Sequence, residues 1–485
     1  MPNPLAYLML ALWPLICLAM FRRMPLERAL IWSILGGYLI LPPLAEFNLP
    51  LVPSMDKTSI PALSAALILV FVLGRRFRVL PEYLPAKLLL LMFILGAVPT
   101  VLTNADPILF RVLENADPIL FVTGTLPGLS VRDTLSVLIG QVLTLLPFLL
   151  ARQFLGTALG LREMLIALVV AGLVYSIPSL IEIRFSPQMN VWVYGFFQHS
   201  FEQMMRNGGF RPIVFLPHGL WLALFVLMTL MAAAALFKQA EGQQKFRYML
   251  ITGYLAVLLV LCKSLASLAY GMALVPLILF ASPKMQIRVA IAFALVAVIY
   301  PMLRNAHFVP LDAILAQAEA ISADRAQSLG YRFTNEELLL GRAAEKDLFG
   351  WGGWGRNLIR HSETGQILSI PDGRWIIVFG TFGWVGYIAE FGLLALPVFL
   401  TGWQMRGRSA TGVSPYAVPL VLMLAITLVD MLLNATLIPF TWMIAGAILG
   451  HMEQVRAATR KYPALFPEGP VIGGRRDVAV PRTVL

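Results

Sequence analysis

The feature that most constrains this chain is the recurrence of nearly uninterrupted apolar runs of about 20 residues, each long enough as a helix to cross the roughly 30 Å hydrocarbon core of a bilayer. Setting the runs against the basic connections predicts spans near 3–21, 29–46, 59–74, 87–104, 134–152, 163–182, 213–237, 248–264, 265–282, 289–303, 375–402, 416–434 and 437–452. That is about 13 crossings, one of them marginal, so about 12 to 13 helices are expected. Strand-period alternation is absent, which removes a barrel and leaves helices as the way to satisfy every backbone group in lipid. Composition agrees, since 59% of the 485 residues are hydrophobic and 13% are charged, against about 25% charged in soluble proteins. The expected fold is an all-α integral membrane protein, with residues 1–455 forming one polytopic unit.

Every second connection is short and basic: Arg22, Arg23 and Arg28; Arg75, Arg76 and Arg78; Arg152 and Arg162; Lys238, Lys245 and Arg247; Lys284 and Arg288; Arg406 and Arg408. The positive-inside rule puts these in the cytoplasm. The Pro- and Gly-rich segment 456–485, which opens with Arg456, Arg460 and Lys461, falls on the same side and reads as a flexible tail. The formal charge of +11 is therefore largely topological and makes no case for nucleic acid. Cys17 and Cys262 lie far apart inside apolar runs, as packing residues do, with no disulfide framework or Cys metal site. The first run lacks a basic n-region and a small-residue cleavage site, so it reads as a span and not as a removable signal peptide.

Three segments fall on the opposite, external face. Segment 104–133 repeats NADPILF at Asn104–Phe110 and Asn115–Phe121. Asn-Ala-Asp-Pro is a turn signal, so two turns each followed by an apolar tripeptide predict a compact interfacial lid or a local duplication without chemistry. Segment 184–212 is short. The third, 304–374, is long enough to be functional and partly helical: Leu311, Ile314, Leu315, Ala318 and Ile321 follow helical spacing, and Thr334-Asn-Glu-Glu337 reads as a capping box opening a second helix that Gly350 would stop. Gly350, Gly352 and Gly355 match the GxGxxG form, but they follow a helix instead of a strand, so a nucleotide loop is excluded. The glycines are expected to turn the chain sharply at the interface, with Trp351 and Trp354 as amphipathic anchors and candidate substrate contacts.

Arginine dominates the external side: Arg184, Arg206, Arg211, Arg304, Arg325, Arg332, Arg342, Arg356, Arg360 and Arg374, with Lys263 near a span end. Guanidinium chelates phosphate or carboxylate bidentately, so the set suits an anionic ligand at a membrane surface, or lipid headgroups and the neighbouring carboxylates. Arg211, in GGFRPIVFLPHG, sits where the chain re-enters the bilayer, and Lys263 lies between two spans with almost no loop; each is either a functional cation or a snorkelling side chain. Arg342 and Glu345 stand one helical turn apart, as an ion pair or as an acid/base group held ionised by its neighbour. Asp372 precedes Gly373 and the next span, where it either caps the helix or abstracts a proton. His218, one turn into the expected span, is a second-tier contact for a ligand at Arg211 or for helix backbone. His199, His307, His361 and His451 show no metal-ligand spacing, so no metal site or other cofactor is expected.

The stretch from Lys263-Ser264 through LASLAYGMALVPLILF, the loop sequence RAAEKDLFGWGGWGR and the span DGRWIIVFGTFGWVGYIAEFGLL resembles the O-antigen ligase and polymerase superfamily of bacterial membrane glycosyltransferases. The likeness is strongest over 260–400, looser at GFRP, and topological in the first half. It implies an inner-membrane enzyme with its large loop in the periplasm. Its donor would be an undecaprenyl-pyrophosphate-linked oligosaccharide and its acceptor a glycan or lipid, with membrane lipids and other polysaccharide-assembly proteins as partners and no metal in the transfer. On that pattern Arg211 and Arg342 correspond to donor-phosphate arginines, with Arg356 a candidate third. Ligases place a His-Asn pair where this chain has Asp372-Gly373, which favours an O-antigen or exopolysaccharide polymerase over a ligase and makes Asp372 the candidate base, with Glu345 behind it. A lipid-linked glycan flippase is the competing class. Against it, the halves show no repeat, and intramembrane charge is confined to Glu390, Asp430 and Lys263.

Overall fold

The computed structural model describes residues 1–48, 52–113, 121–206, 208–306, 308–406 and 412–461. The chain forms α1 (Pro4–Arg23), α2 (Leu26–Ile40), α3 (Ile60–Leu67, continued by a π turn), α4 (Leu84–Leu95), α5 (Ala97–Leu102), α6 (Val131–Phe154), α7 (Ala158–Phe185), α8 (Met189–Tyr194), α9 (Gly219–Gln239), α10 (Gly242–Leu261), α11 (Leu265–Phe280), α12 (Pro283–Asn305), α13 (Leu311–Ile321), α14 (Ala323–Ala344), α15 (Arg374–Gln404), α16 (Ala417–Leu433) and α17 (Pro439–Lys461). Among the described residues, eight helical stretches are long and apolar enough to cross a membrane: α1, α4 with α5, α6, α7, α9, α10, α12 and α15. Three shorter apolar helices accompany them, Ile60–Val72, Leu265–Phe280 and Ala417–Leu433. The chain is thus a multi-pass, all-α membrane protein.

Helix α9 is its axis. Of its apolar stretch 83% is buried inside the protein, against 17% for α10, so α9 meets helices on all sides while α10 turns most of its surface outward. The closest packing joins α17 to α6. Gly446 and Gly450, one turn apart, lie so close to the backbone at Phe148 and Arg152 that a methyl group at either would collide, the small-residue contact that lets membrane helices approach. At that end of the bundle Arg152 pairs with Glu453 at 2.9 Å and Arg28 with Glu163 at 2.7 Å. Lys238 donates to the carbonyls of Ile278 and Ala281 at 2.8 and 2.7 Å. Several of the basic connections therefore also tie helix ends together.

The structure corrects the sequence reading at five places. Helix α9 begins at Gly219, so His218 is its N-cap and does not lie one turn inside. Thr334 stands mid-helix in α14, and its hydroxyl donates to the Gly330 carbonyl at 3.0 Å where a cap would have bonded the next turn. The apolar tripeptide after the first Asn-Ala-Asp-Pro enters an antiparallel hairpin of β1 (Ile108–Leu113) and β2 (Phe121–Leu126); nearly all of the second repeat copy lies outside the described residues. Residues 456–461 prolong α17 and are not a loose tail, while 462–485, His307, Arg408 and the side chain of Arg325 also lie outside the described residues.

The fifth correction is the largest. On a straight helix Arg374 and Glu390 would stand about 24 Å apart, yet Arg374 Nη2 meets Glu390 Oε2 at 2.6 Å. Helix α15 is bent sharply at Gly383, whose φ of 63° and ψ of −160° belong to a region open essentially to glycine alone. A short arm, 374–382, and a long arm, 384–404, result. In an unbroken helix Trp384 N and Val385 N would bond the Gly380 and Thr381 carbonyls. Instead they donate to Asp347 O and Leu348 O at 2.7 and 3.2 Å, while Trp351 N and Gly352 N donate to Gly380 O and Thr381 O at 2.9 Å each. The loop that joins α14 to α15 thus satisfies all four groups that the bend exposes. It comes this close because Gly350 carries no side chain where Thr381 and Phe382 backbone would block one.

Gly383→Ala adds a Cβ against Leu348 and Asp347 in a conformation alanine resists, a strain on the order of 1–3 kcal/mol. Thermal unfolding of the detergent-purified protein should drop by several degrees. Gly341→Ala, in α14 with open space around it, should hold or raise the midpoint, because alanine gains about 0.5–1 kcal/mol in a helix interior.

Candidate functional site

Two groups of cations gather at the loop end of the bundle. The first is built on a two-residue hairpin, β3 (Met205–Arg206) and β4 (Gly209–Phe210), which delivers Arg211 across the start of α9. Arg211 is buried, donates from Nη2 to the Lys263 carbonyl at 2.9 Å, and fills the space that a side chain at Gly219 would need. Lys263 sits in the three-residue link between α10 and α11 with φ of 51°. Its Nζ donates to Arg206 O at 2.8 Å and lies against the Gly209 backbone, where any side chain would displace it.

His218 lies beneath these cations. Its Nδ1 accepts from Leu220 N at 2.9 Å, its Nε2 is 3.2 Å from Gln203 Oε1, and its ring packs edge-on against His199 with centroids 4.4 Å apart. Burial, followed by the positive charges of His199, Arg211, Arg332 and Arg206, pushes its pKa down to about 3. The imidazole is therefore neutral. With Nδ1 accepting, the proton rests on Nε2 toward Gln203, so both nitrogens are occupied and the ring caps a helix without serving as a base.

Arg332, on α14, extends this group toward Asp372. Its Nη1 donates to Leu433 O at 3.2 Å and to Asn434 Oδ1 at 3.1 Å, and its Nε stands 3.7 Å from Asp372 Oδ2. Asp372 does not cap α15, whose N-cap is Gly373 with no side-chain bond. Burial raises its pKa above the ordinary aspartate value, and Arg332 only partly opposes that. The neighbouring carboxylate is already committed: Glu336 takes Arg304 at 2.8 Å, Tyr300 at 3.0 Å and Trp375 at 3.2 Å. Asp372 thus keeps a partly exposed carboxylate beside a guanidinium, lining a small recess with Arg332, Glu336 and Ile376.

The second group surrounds the glycine loop. Arg342 pairs with Glu345 at 2.7 Å and stacks its guanidinium 3.3 Å from the Trp351 ring centre. Trp351 Nε1 returns a hydrogen bond to Arg342 O at 2.7 Å. Lys346 approaches the same ring at 4.6 Å and donates to Thr103 O and Asn104 Oδ1. Burial, then the charges of Arg356 and Arg342, lowers its pKa. Arg356 is 2% exposed and gives its two terminal nitrogens to Pro127 O and Asp106 O at 2.8 and 2.9 Å. Apart from the Glu345 pair, these cations serve oxygens and a ring, fastening residues 103–106 and Pro127 to the loop. Trp351 is wedged among them and so packs the loop, whereas Trp354, with φ of 57°, stands exposed.

The structure therefore brings Arg211, Lys263 and His218 together, and Arg342, Glu345, Arg356 and Trp351 together. Asp372 joins the first set through Arg332. Arg332 and Arg342 share α14, about 15 Å of helical rise apart. Neither a protein-family model nor a curated protein matches the chain.

Arg374 and Glu390 carry a separate prediction. Glu390 is 2% exposed at its side chain, and removing one member of such a pair costs about 3–5 kcal/mol by leaving the other charge uncompensated. Glu390→Met should sharply lower the unfolding midpoint in detergent. The double variant Arg374→Met/Glu390→Met should recover most of that loss.

Proposed function

We propose that this protein is a bacterial inner-membrane glycosyltransferase that polymerises undecaprenyl-pyrophosphate-linked glycan, of the O-antigen or exopolysaccharide kind, with about 12 to 13 crossings and the long loop in the periplasm. The observation that carries the reading is the grouping of Arg206, Arg211 and Lys263 with Arg332 at the loop end of a polytopic bundle, where the charges of all but Lys263 act on His218, with the partly exposed Asp372 carboxylate 3.7 Å from Arg332. Fixed cations at a membrane surface suit a diphosphate attached to a lipid.

The chemistry follows from where charge moves. As the bond between sugar C1 and the diphosphate oxygen breaks, negative charge builds on the departing carrier, and Arg211, Lys263 and Arg332 are placed to stabilise it. Asp372 accepts the proton of the attacking acceptor hydroxyl while that oxygen bonds to C1 from the opposite face, inverting the anomeric centre. The Arg342 group holds the glycine loop against α15 and has no place on the diphosphate in this scheme.

Deletion in the native bacterium, followed by electrophoresis of its surface glycans, tests the class. Chains halted at one repeat unit are expected. Uncapped lipid core with polymer accumulating on the carrier would instead indicate a ligase, and cytoplasmic accumulation of the linked unit a flippase. Arg211→Gln and Arg332→Gln should each slow chain assembly by about 10²–10³-fold if they act as oxyanion donors do; full-rate assembly in well-inserted variants would refute the scheme.

The pH profile supplies a second check. Asp372 works ionised, and burial raises its pKa, so the transfer rate should fall on acidification through a value above that of an ordinary aspartate. Asp372→Asn should cut the rate steeply and leave whatever rate remains without this acidic limb.

A further inference from the structure

A cleft of the loop end remains unused by this scheme. Two adjoining hollows of about 340 and 450 Å³ share Pro53, Ser54, Gly140 and Thr144 as walls, a combined size suited to a ligand of several rings. One wall is the 52–59 connection, another the outer turns of α6, and a third the short arm of α15 with Arg374 at one end and Phe382 at the other. Trp354 projects into its rim. We infer that this cleft is the subsite for the saccharide acceptor, a neutral glycan; the assignment rests on the transferase reading above.

Its chemistry selects that ligand. Arg374 is neutralised by Glu390, so among the described residues no free cation lines the hollow. Asp56 spends only Oδ1 on Thr58 and Ser59, leaving Oδ2 without a hydrogen-bond partner among the described residues. A lone carboxylate repels a phosphate. Gln141 is 9% exposed, lines the cleft, and has an amide with no hydrogen-bond partner among the described residues. Ser136 adds a hydroxyl, and Ser54 another that donates to Asn48 Oδ1 at 2.6 Å; burying Asp56 Oδ2 and the Gln141 amide beneath a prenyl chain would leave both unsatisfied. Hydroxyl-rich sugar satisfies them all.

Trp354 supplies the other half of sugar recognition. It holds a left-handed backbone that costs a bulky residue, although glycines stand on both sides of it, and it is 56% exposed. Strain of this kind persists at sites that use it, and a large ring fixed at the edge of a polar cleft is a stacking platform. Position agrees as well. Arg374 closes one end of the cleft and Asp372 lies two residues before it, so an acceptor lying along the cleft points its end toward the base.

The test uses the full chain in detergent and oligosaccharide repeat units released by mild acid from the native bacterium's own surface polysaccharide, titrated calorimetrically. Saturable binding is expected in the wild type. Trp354→Ala, and Thr144→Trp, which fills the cleft, should weaken it roughly tenfold or more, while Trp354→Phe keeps a ring and should bind within a few-fold of wild type. Absent binding in the wild type, or unchanged binding in both Trp354→Ala and Thr144→Trp, overturns the subsite, as does farnesyl diphosphate binding that Thr144→Trp abolishes while saccharide binding survives. The transferase reading fails separately: cells carrying Arg211→Gln that build full-length glycans at the normal rate would sink it even if saccharide binds here.

Discussion

A backbone amide or carbonyl without a partner in an apolar environment costs several kcal/mol, and the bend in α15 creates four of them at once. The remainder of the loop end is arranged around that debt. Asp347, Leu348, Trp351 and Gly352 meet the four groups through backbone bonds alone, so the loop's route is dictated by geometry and hardly at all by its side chains. The cations then secure the loop from behind: Arg356 and Lys346 grip Thr103, Asp106 and Pro127, and Arg342 braces Trp351. Loop and bent helix form one unit, because neither has a satisfied backbone without the other.

This division sorts the arginines by what their nitrogens already do. Arg356 gives both terminal nitrogens to carbonyls in a fixed fork, the arrangement that makes guanidinium a rigid cross-link. Arg332 instead spans three elements, touching the end of α16 and standing near Asp372 at a distance longer than a tight ion pair. Arg211 and Lys263 donate to the carbonyls of Lys263 and Arg206 beside a neutral imidazole. A guanidinium and an ammonium gathered at one place form a positive patch that attracts an anion.

The helices were legible because a bilayer imposes a length and a polarity that any reader of the sequence can count. Apolar runs near 134–152 and 163–182 correspond to α6 and α7 with ends moved by two to five residues. What escaped was everything set by partners remote in sequence. Gly383 looks like any glycine in an apolar span, and only the arrival of residues 347–352 explains its bend. The Thr334 motif has a cap's spelling, yet α14 already runs from Ala323, and packing against neighbouring elements overrides a local signal. Arg332 stood unremarked among ten arginines because its partners at 372 and 434 carry no spacing rule. Arg342 and Glu345 pair as their spacing suggested, since the helix supplies that geometry by itself.

The short arm of α15 has one more consequence. Arg374 and Phe382 sit at its two ends, and helical rise separates them by about 12 Å. Because the arm is pinned at its apex by the glycine loop and at its base by the Glu390 pair, that interval behaves as a gauge of fixed length. A molecule bridging the aromatic rim and the carboxylate beside Arg374 has to be at least that extended, so anything shorter can occupy one end or the other but never register with both.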